Sequence, residues 1–400
     1  MDHELVTQLV IVLALATVLV AAFLKLRLSP ILGYLVTGVL IGPSVLGWLE
    51  EGPRLHLLAE LGVVLLMFTI GLEFSLSRFL AARRLVLGLG GAQFVLTGAL
   101  FAVAAWAWWS LPAAQALIVG GALAMSSTAV VLKQLGEQME LPAPHGRTAT
   151  GILLFQDVAA VALLAILPVL AADLAAPGGT LTLALGEAAV IFIALALVGH
   201  RVLPMVFYWV GGTRSLELFM LTTLLLALAA AALAAIGGFP ATLGAFMAGM
   251  LLGETPLRHQ LEASIAPFRD LMLGLFFATI GMRFDPATFA AMAGTILAIV
   301  LALVPGKALV LAPLLWAAGQ PAADANGAAI SLAQGGELGL LVIASSLTLG
   351  LLDASVAQPM LAGVILSMAL ASILLRFNGP LGRRLSRLRA PHGAQGTEAS

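Results

Sequence analysis

The sequence predicts an all-α polytopic membrane protein of 13 transmembrane helices, built as two inverted six-helix repeats joined by helix 7. Three observations predict it. The chain is 61% hydrophobic and only 10% charged, against roughly 25% charged residues in a soluble domain, and a soluble fold of 400 residues has too much surface to hide that apolar content. The basic residues segregate to alternate loops. Two stretches of the first half recur about 210 residues further on.

A crossing needs about 20 apolar residues. Candidate spans centre near residues 14, 39, 64, 97, 123, 160, 192, 225, 246, 274, 301, 335 and 366. Span 1 is not a cleavable leader: Asp2 and Glu4 precede it, Lys25 and Arg27 follow it, and its apolar run crosses a full bilayer. With the N-terminus outside, the inside loops hold Lys25, Arg27, Arg78, Arg83, Arg84, Lys133, Arg147, Arg201, Arg214, Arg258 and Arg269, and the tail adds Arg376, Arg383, Arg384, Arg387 and Arg389. Of the 19 basic residues, only Arg54 and Arg283 fall outside, and Lys307 lies within an apolar run. One crossing more or fewer in mid-chain would spoil this segregation. The expectation is a multi-pass protein of the cell inner (plasma) membrane with a cytoplasmic C-terminus.

The repeats set the architecture. Pro30 to Gly42 resembles Pro240 to Gly253, and Leu65-Leu-Met-Phe-Thr-Ile-Gly71 resembles Leu275-Phe-Phe-Ala-Thr-Ile-Gly281. Spans 1 to 6 then match spans 8 to 13. Span 1 starts outside and span 8 inside, so the repeats are inverted, as in alternating-access transporters.

Several function classes are excluded. The net charge of −1 gives no electrostatic footprint for nucleic acid. Cysteine is absent. His3, His56, His145, His200, His259 and His392 fall in loops or at helix ends without metal-ligand spacing. No phosphate-binding Gly-Lys-Ser/Thr and no nucleophile elbow occurs. The chain is therefore read as a transporter without cofactor rather than an enzyme.

An ionisable residue at membrane depth is a functional candidate. Asp157 lies ten residues beyond Arg147, about 15 Å along a helix, half of a roughly 30 Å core. Lys307 is thirteen residues before Gln320, about 20 Å, a long way to snorkel. A buried partnership with Asp157 is expected, since paired charges cost less to bury. In Gln334-Gly335-Gly336-Glu337, adjacent glycines predict a break in span 12. Span 5 has Ser126-Ser127-Thr128 at the matching place, where hydroxyls satisfy freed backbone groups. Paired broken helices point to an ion site. Glu337 is compatible with two roles there, neutralising helix dipoles or binding the ion. Ser127 and Thr128 are compatible with ion binding or with plain hydroxyl-to-backbone bonds. Glu73, at the inner end of span 3, and His259 and Glu262, at the start of span 10, are interfacial or regulatory candidates.

With these residues in view the chain resembles the membrane domain of Kef-type potassium:proton antiporters, within the monovalent cation:proton antiporters. The likeness rests on Phe68-Thr-Ile-Gly-Leu-Glu73, Ser126-Ser-Thr-Ala-Val-Val-Leu132, Phe155-Gln-Asp157, Arg258 to Phe268 running into Gly274 to Met282, and Gln334-Gly-Gly-Glu337, in that order. The resemblance implies crossed, broken helices 5 and 12, a homodimer in lipid, and an exchanger domain over 1–378 followed by a polar cytoplasmic tail over 379–400. It implies a scaffold of helices 1–3 and 7–10 and a core of helices 4–6 and 11–13. Full-length members carry a nucleotide-binding regulatory domain after the membrane part, and no such pattern follows here. The expectation is either a stand-alone transporter, open to a separate regulatory subunit, or a truncated chain.

The expected mechanism places proton and cation in competition for Asp157. Burial disfavours the bare carboxylate, and only a neutralised site crosses the low-dielectric barrier. Gln156, Ser127 and Thr128 complete the cation shell, and Lys307 holds the empty carboxylate. Gln156 cannot carry a proton, so exchange is expected to be one for one. Two other classes share a polar midplane: a cation channel, which shows flux without proton coupling, and a sodium-coupled organic-anion symporter, which saturates with its anion. Potassium is favoured over sodium by the resemblance alone.

Overall fold

The structure, a computed structural model, describes residues 3–26, 29–49, 52–73, 83–175, 201–202, 205–206, 209–210, 215–237, 240–282 and 286–374. In chain order the elements are α1 (His3–Lys25), α2 (Pro30–Ile41), α3 (Pro53–Glu73), a π-helical segment (Arg84–Gly90), α4 (Gly91–Trp109), α5 (Ala113–Ala124), α6 (Thr128–Glu137), α7 (Pro144–Ala175), α8 (Leu216–Ile236), α9 (Ala241–Gly253), α10 (Arg258–Met282), α11 (Pro286–Ala291), α12 (Ala293–Ala317), α13 (Ala322–Ser331), α14 (Glu337–Thr348) and α15 (Ala354–Leu374). Each expected span falls on a helix except the seventh, which lies outside the described residues, as does the tail. Among the described residues, eight helical stretches are long and apolar enough to cross a membrane, and α2, α9 and α14 are shorter apolar helices. The chain is an all-helical polytopic membrane protein.

Both expected interruptions are present. Span 5 is α5 and α6, separated by Met125–Ser127. Span 12 is α13 and α14, separated by 332–336. The reason is local. Ser127 leaves helical geometry at ψ 110° and its hydroxyl accepts the Val130 N–H, which starts α6 afresh. At 335–336 two glycines weaken the helix and let other backbone approach.

The chain divides into two compact units. The first comprises Met1–Arg83, Asp157–Ile296 and Leu341–Leu361, and the second Arg84–Gln156, Leu297–Leu340 and Ala362–Ser400. One boundary falls between Gln156 and Asp157 in α7, and others fall within α12, α14 and α15.

In the first unit, glycines set the helix spacing. A β-carbon on Gly249 of α9 would overlap the Phe68 carbonyl oxygen of α3, and one on Gly71 of α3 would overlap that of Phe246. The same exchange recurs between α2 and α10: Gly38 faces the Ala278 carbonyl and Gly281 that of Leu35. Gly33 against Val20 on α1 is matched by Gly244 against Ala230 on α8. Each contact is repeated at the offset seen in the sequence. The repeated glycines are thus the points at which matching helix pairs touch backbone to backbone, as expected where small residues mediate membrane packing. In the second unit, an aliphatic cluster of Val131, Leu135, Ile152, Leu153, Leu311, Leu315 and Leu332 joins α6, α7 and α12 to the end of α13.

Because overpacking costs about 1–3 kcal/mol, Gly249→Ala is expected to lower the thermal midpoint of the detergent-solubilised protein by several degrees. Gly294→Ala, where a β-carbon meets nothing within 4 Å, is expected to leave it unchanged. Equal midpoints for the two variants would contradict the backbone contact.

Candidate ion-binding site

The two breaks meet within the second unit. Gly336 packs on the Ser126 backbone, where a β-carbon would lie 2.6 Å from the carbonyl group, and Gly339 packs on the Ala122 carbonyl. Ser126 Oγ donates to Leu332 O at 2.8 Å. Each break leaves carbonyls without amides on one side and amides without carbonyls on the other.

The carbonyl side is held by Lys307, which reaches it from α12. Its ammonium is fully buried and donates to Met125 O at 2.7 Å, Ser126 Oγ at 2.8 Å and Gln334 O at 2.7 Å. These three bonds use its three donors. The positive charge therefore sits where the partial negative ends of α5 and α13 converge. The amide side is held by Glu337. Its Oε1 accepts the Ala129 N–H of α6 at 3.2 Å, while the residue itself opens α14. One carboxylate thus serves two helix N-termini.

A glutamine relay completes the first break. The Ser126 N–H donates to Gln156 Oε1 at 2.7 Å, Gln156 Nε2 donates to Gln93 Oε1 at 2.7 Å, and Gln93 Nε2 donates to Ala124 O at 3.1 Å and Thr97 Oγ1 at 3.2 Å. In the second break the Gly335 N–H donates to Ser367 Oγ at 3.0 Å. The Gln334 side chain is 1% exposed, and its amide nitrogen and oxygen have no hydrogen-bond partner among the described residues; Glu337 Oε2 is likewise unpartnered.

Asp157 follows Gln156 in α7 and is half-buried, as is Thr128 at the start of α6. In the first unit a cavity of ≈ 600 Å³ begins at Leu164, two turns beyond Asp157. Its walls are mostly apolar and include Glu60, Thr242, Thr279, Ser345 and Thr348. Glu73 is exposed at the end of α3 and shares an electrostatic neighbourhood with Glu262, Arg258 and Arg269 of α10. His259 is exposed on the same helix.

Several roles differ from those the sequence suggested. Lys307 was expected to hold Asp157, but its three donors are spent on helix-end groups. Gln156 was expected in a cation shell, yet both ends of its amide are engaged in holding the break. The Ser127 hydroxyl caps α6. Of the two roles open to Glu337, the dipole-neutralising contact is the one seen. Two residues were missed, Ser367 and Gln93; Ser126 was read as one of the hydroxyls that satisfy freed backbone groups at the first break. The signal for Gln93 was present, as an amide within an otherwise apolar run.

The family model for the transmembrane part of sodium/hydrogen exchangers matches residues 10–377. The chain belongs to the sodium/hydrogen exchanger family. This exchanger-family chain is 39% identical, over 94% of its length, to a protein of Alkalimonas amylolytica that carries the assignment K(+) efflux antiporter KefB. It is 36% identical, over 86% of its length, to the chloroplastic K(+) efflux antiporters 1 and 2 of Arabidopsis thaliana. It spans 57% of the first relative and 29% and 30% of the other two. Its fold is similar to that of the sodium proton antiporter MjNhaP1 of Methanocaldococcus jannaschii at pH 8, with TM-score 0.66 and 16% identity over 95% of this chain and 98% of that one. The matched family is one of membrane transporters.

In this exchanger the relay predicts that Gln93→Leu strands Gln156 Nε2 and Ala124 O in a dry interior, a loss of about 1–3 kcal/mol. Thermal unfolding in detergent should show a lower midpoint for Gln93→Leu than for Gln93→Glu at acid pH, where the glutamic acid can still donate and accept. Equal midpoints would mean that the relay contributes nothing.

Proposed function

We propose that this chain is the exchange unit of a monovalent cation:proton antiporter, with potassium preferred, working by alternating access around Asp157. The observation that carries this reading is the pair of opposed helix breaks whose four ends are neutralised by one lysine and one glutamate. Such a polar, pre-organised region in mid-membrane is what a coupled ion carrier needs, and it adjoins a carboxylate that a proton or a cation can neutralise. Inverted repeats of six spans within a total of 13 support alternating access, as do the glycine contacts repeated at the same offset. Potassium is favoured because the relatives are named for K(+) efflux; sodium competes for the same carboxylate.

Asp157 is the shared carrier. Thr128, at the start of α6, is assigned as a further ligand. The unpaired Gln334 amide near the second break is a further candidate ligand. Because the Gln156 amide is bound on both sides and cannot ionise, one carboxylate handles one proton or one monovalent cation per cycle. The exchange is then electroneutral. The orientation that fits the basic loops has the N-terminus outside and the C-terminus in the cytoplasm, in a homodimer in the cell membrane.

Two measurements test this reading. In proteoliposomes, Asp157→Asn should abolish proton flux driven by potassium, sodium or rubidium while leaving folding intact by size-exclusion chromatography; surviving cation-dependent flux would sink the carrier assignment. With the membrane potential clamped at several values by a system that carries neither proton nor cation, the wild-type rate should stay flat. An electrogenic cycle would instead gain about 2.3 kcal/mol per charge per 100 mV, and a steep rise with voltage would overturn the one-for-one stoichiometry.

A further inference from the structure

The three elements that build the ion site are also joined at their opposite ends. His145, in the first turn of α7, lies between two carboxylates. Its Nε2 is 3.1 Å from Glu140 Oε2 and its Nδ1 is 3.5 Å from Asp324 Oδ1. Glu140 is fixed to the end of α6, since its N–H donates to Leu135 O at 2.8 Å, just after the left-handed turn at Met139. Asp324 belongs to the first turn of α13. Gly327 on α13 keeps the approach close, as a β-carbon there would sit 3.4 Å from His145 Cβ. Beside this cluster Gln320 Nε2 donates to Thr148 Oγ1 at 2.9 Å, a second tie between α7 and the turn before α13.

We propose that His145 is a positioning residue, and that its imidazolium clasps α6, α7 and α13 together at the end remote from the ion site. The other ends of these helices carry Thr128, Gln156 with Asp157, and Leu332. Helix geometry puts those groups about 12–18 Å from the clasp, within one rigid helix each. The ring nitrogens decide the protonation state that fits. A neutral imidazole has one N–H and one lone pair, so one of the two carboxylates would face a lone pair. The imidazolium donates to Glu140, pairs ionically with Asp324 and offsets the charge of both. Among the described residues the ring forms ion pairs with these two acids only; Lys133 and Glu137 on α6 and Arg147 and Asp157 on α7 are the other charges, among the described side chains, on the helices it joins. The cluster is partly open, His145 being 16% exposed and the acids 29% and 24%, so protons from the aqueous side reach it. Doubly protonated, the ring keeps the clasp closed and holds the three helices in register; with one proton fewer it loses one of its two carboxylates and the clasp loosens.

The test compares the full chain with His145→Gln, His145→Arg and Asp324→Asn at pH 6 and pH 8.5. In proteoliposomes the potassium concentration for half-maximal proton flux should rise about tenfold for His145→Gln at pH 6, the low end of the effect of one charge-assisted hydrogen bond, and match wild type at pH 8.5. Asp324→Asn should behave as His145→Gln does. His145→Arg, charged at both pH values, should bind potassium more tightly than wild type at pH 8.5. Thermal unfolding in detergent gives a readout independent of transport: the wild-type midpoint should exceed that of His145→Gln at pH 6 and coincide with it at pH 8.5. A loss of equal size at both pH values would reduce His145 to fixed packing and overturn the proposal, as would no difference at either. A wild type with no cation-dependent flux would count against the antiport reading, while the melting comparison would still decide the clasp.

Discussion

Breaking a helix inside a membrane frees backbone groups where no water can satisfy them. Each unpaired group in hydrocarbon costs several kcal/mol. Spans 5 and 12 are both broken, so two sets of carbonyls and two sets of amides need partners. The structure meets this demand by bringing like ends together and giving each pair one countercharge. Lys307 serves the carbonyl ends through Met125, Ser126 and Gln334, and Glu337 serves the amide ends through Ala129 while opening α14 itself. The polar centre of the molecule follows from that constraint.

The charged and amide groups at the two breaks are committed to structure. Lys307 and Glu337 are consumed by helix ends, and Gln156 is consumed by the Ser126 amide and Gln93. Asp157, one residue further along α7, is half-buried. In a low-dielectric site, pre-committed dipoles need not reorganise when a charge arrives.

Packing in the first unit rests on a different principle. Lipid supplies no hydrophobic force between apolar helices, so close backbone approach does the work. Gly38 with Gly281 and Gly71 with Gly249 form two matching sets of contacts. The sequence repeat is therefore a repeat of interfaces as well as of helices, and a duplicated helix pair keeps its own packing surface.

Some of this was determined by the sequence alone. The apolar runs, the alternating basic loops and the repeated glycines are local or periodic features, and they suffice for the class, the helix positions and both breaks. Ser126-Ser127-Thr128 and Gly335-Gly336 announce the interruptions because hydroxyls and glycines release backbone from the helix wherever they occur in mid-span. Asp157 and Lys307 stood out because lipid tolerates neither without cause. The partners were decided only by the tertiary structure. Lys307 could have met Asp157 or the freed carbonyls, and the choice depends on which helix ends converge near α12. Gln93 and Ser367 look like ordinary polar residues until the fold sets them beside Gln156 and Gly335. His145, a loop-edge histidine by sequence, gains its two acids from places five and nearly two hundred residues away. A spacing along one helix is written in the chain, whereas a contact between helices distant in sequence depends on how they pack.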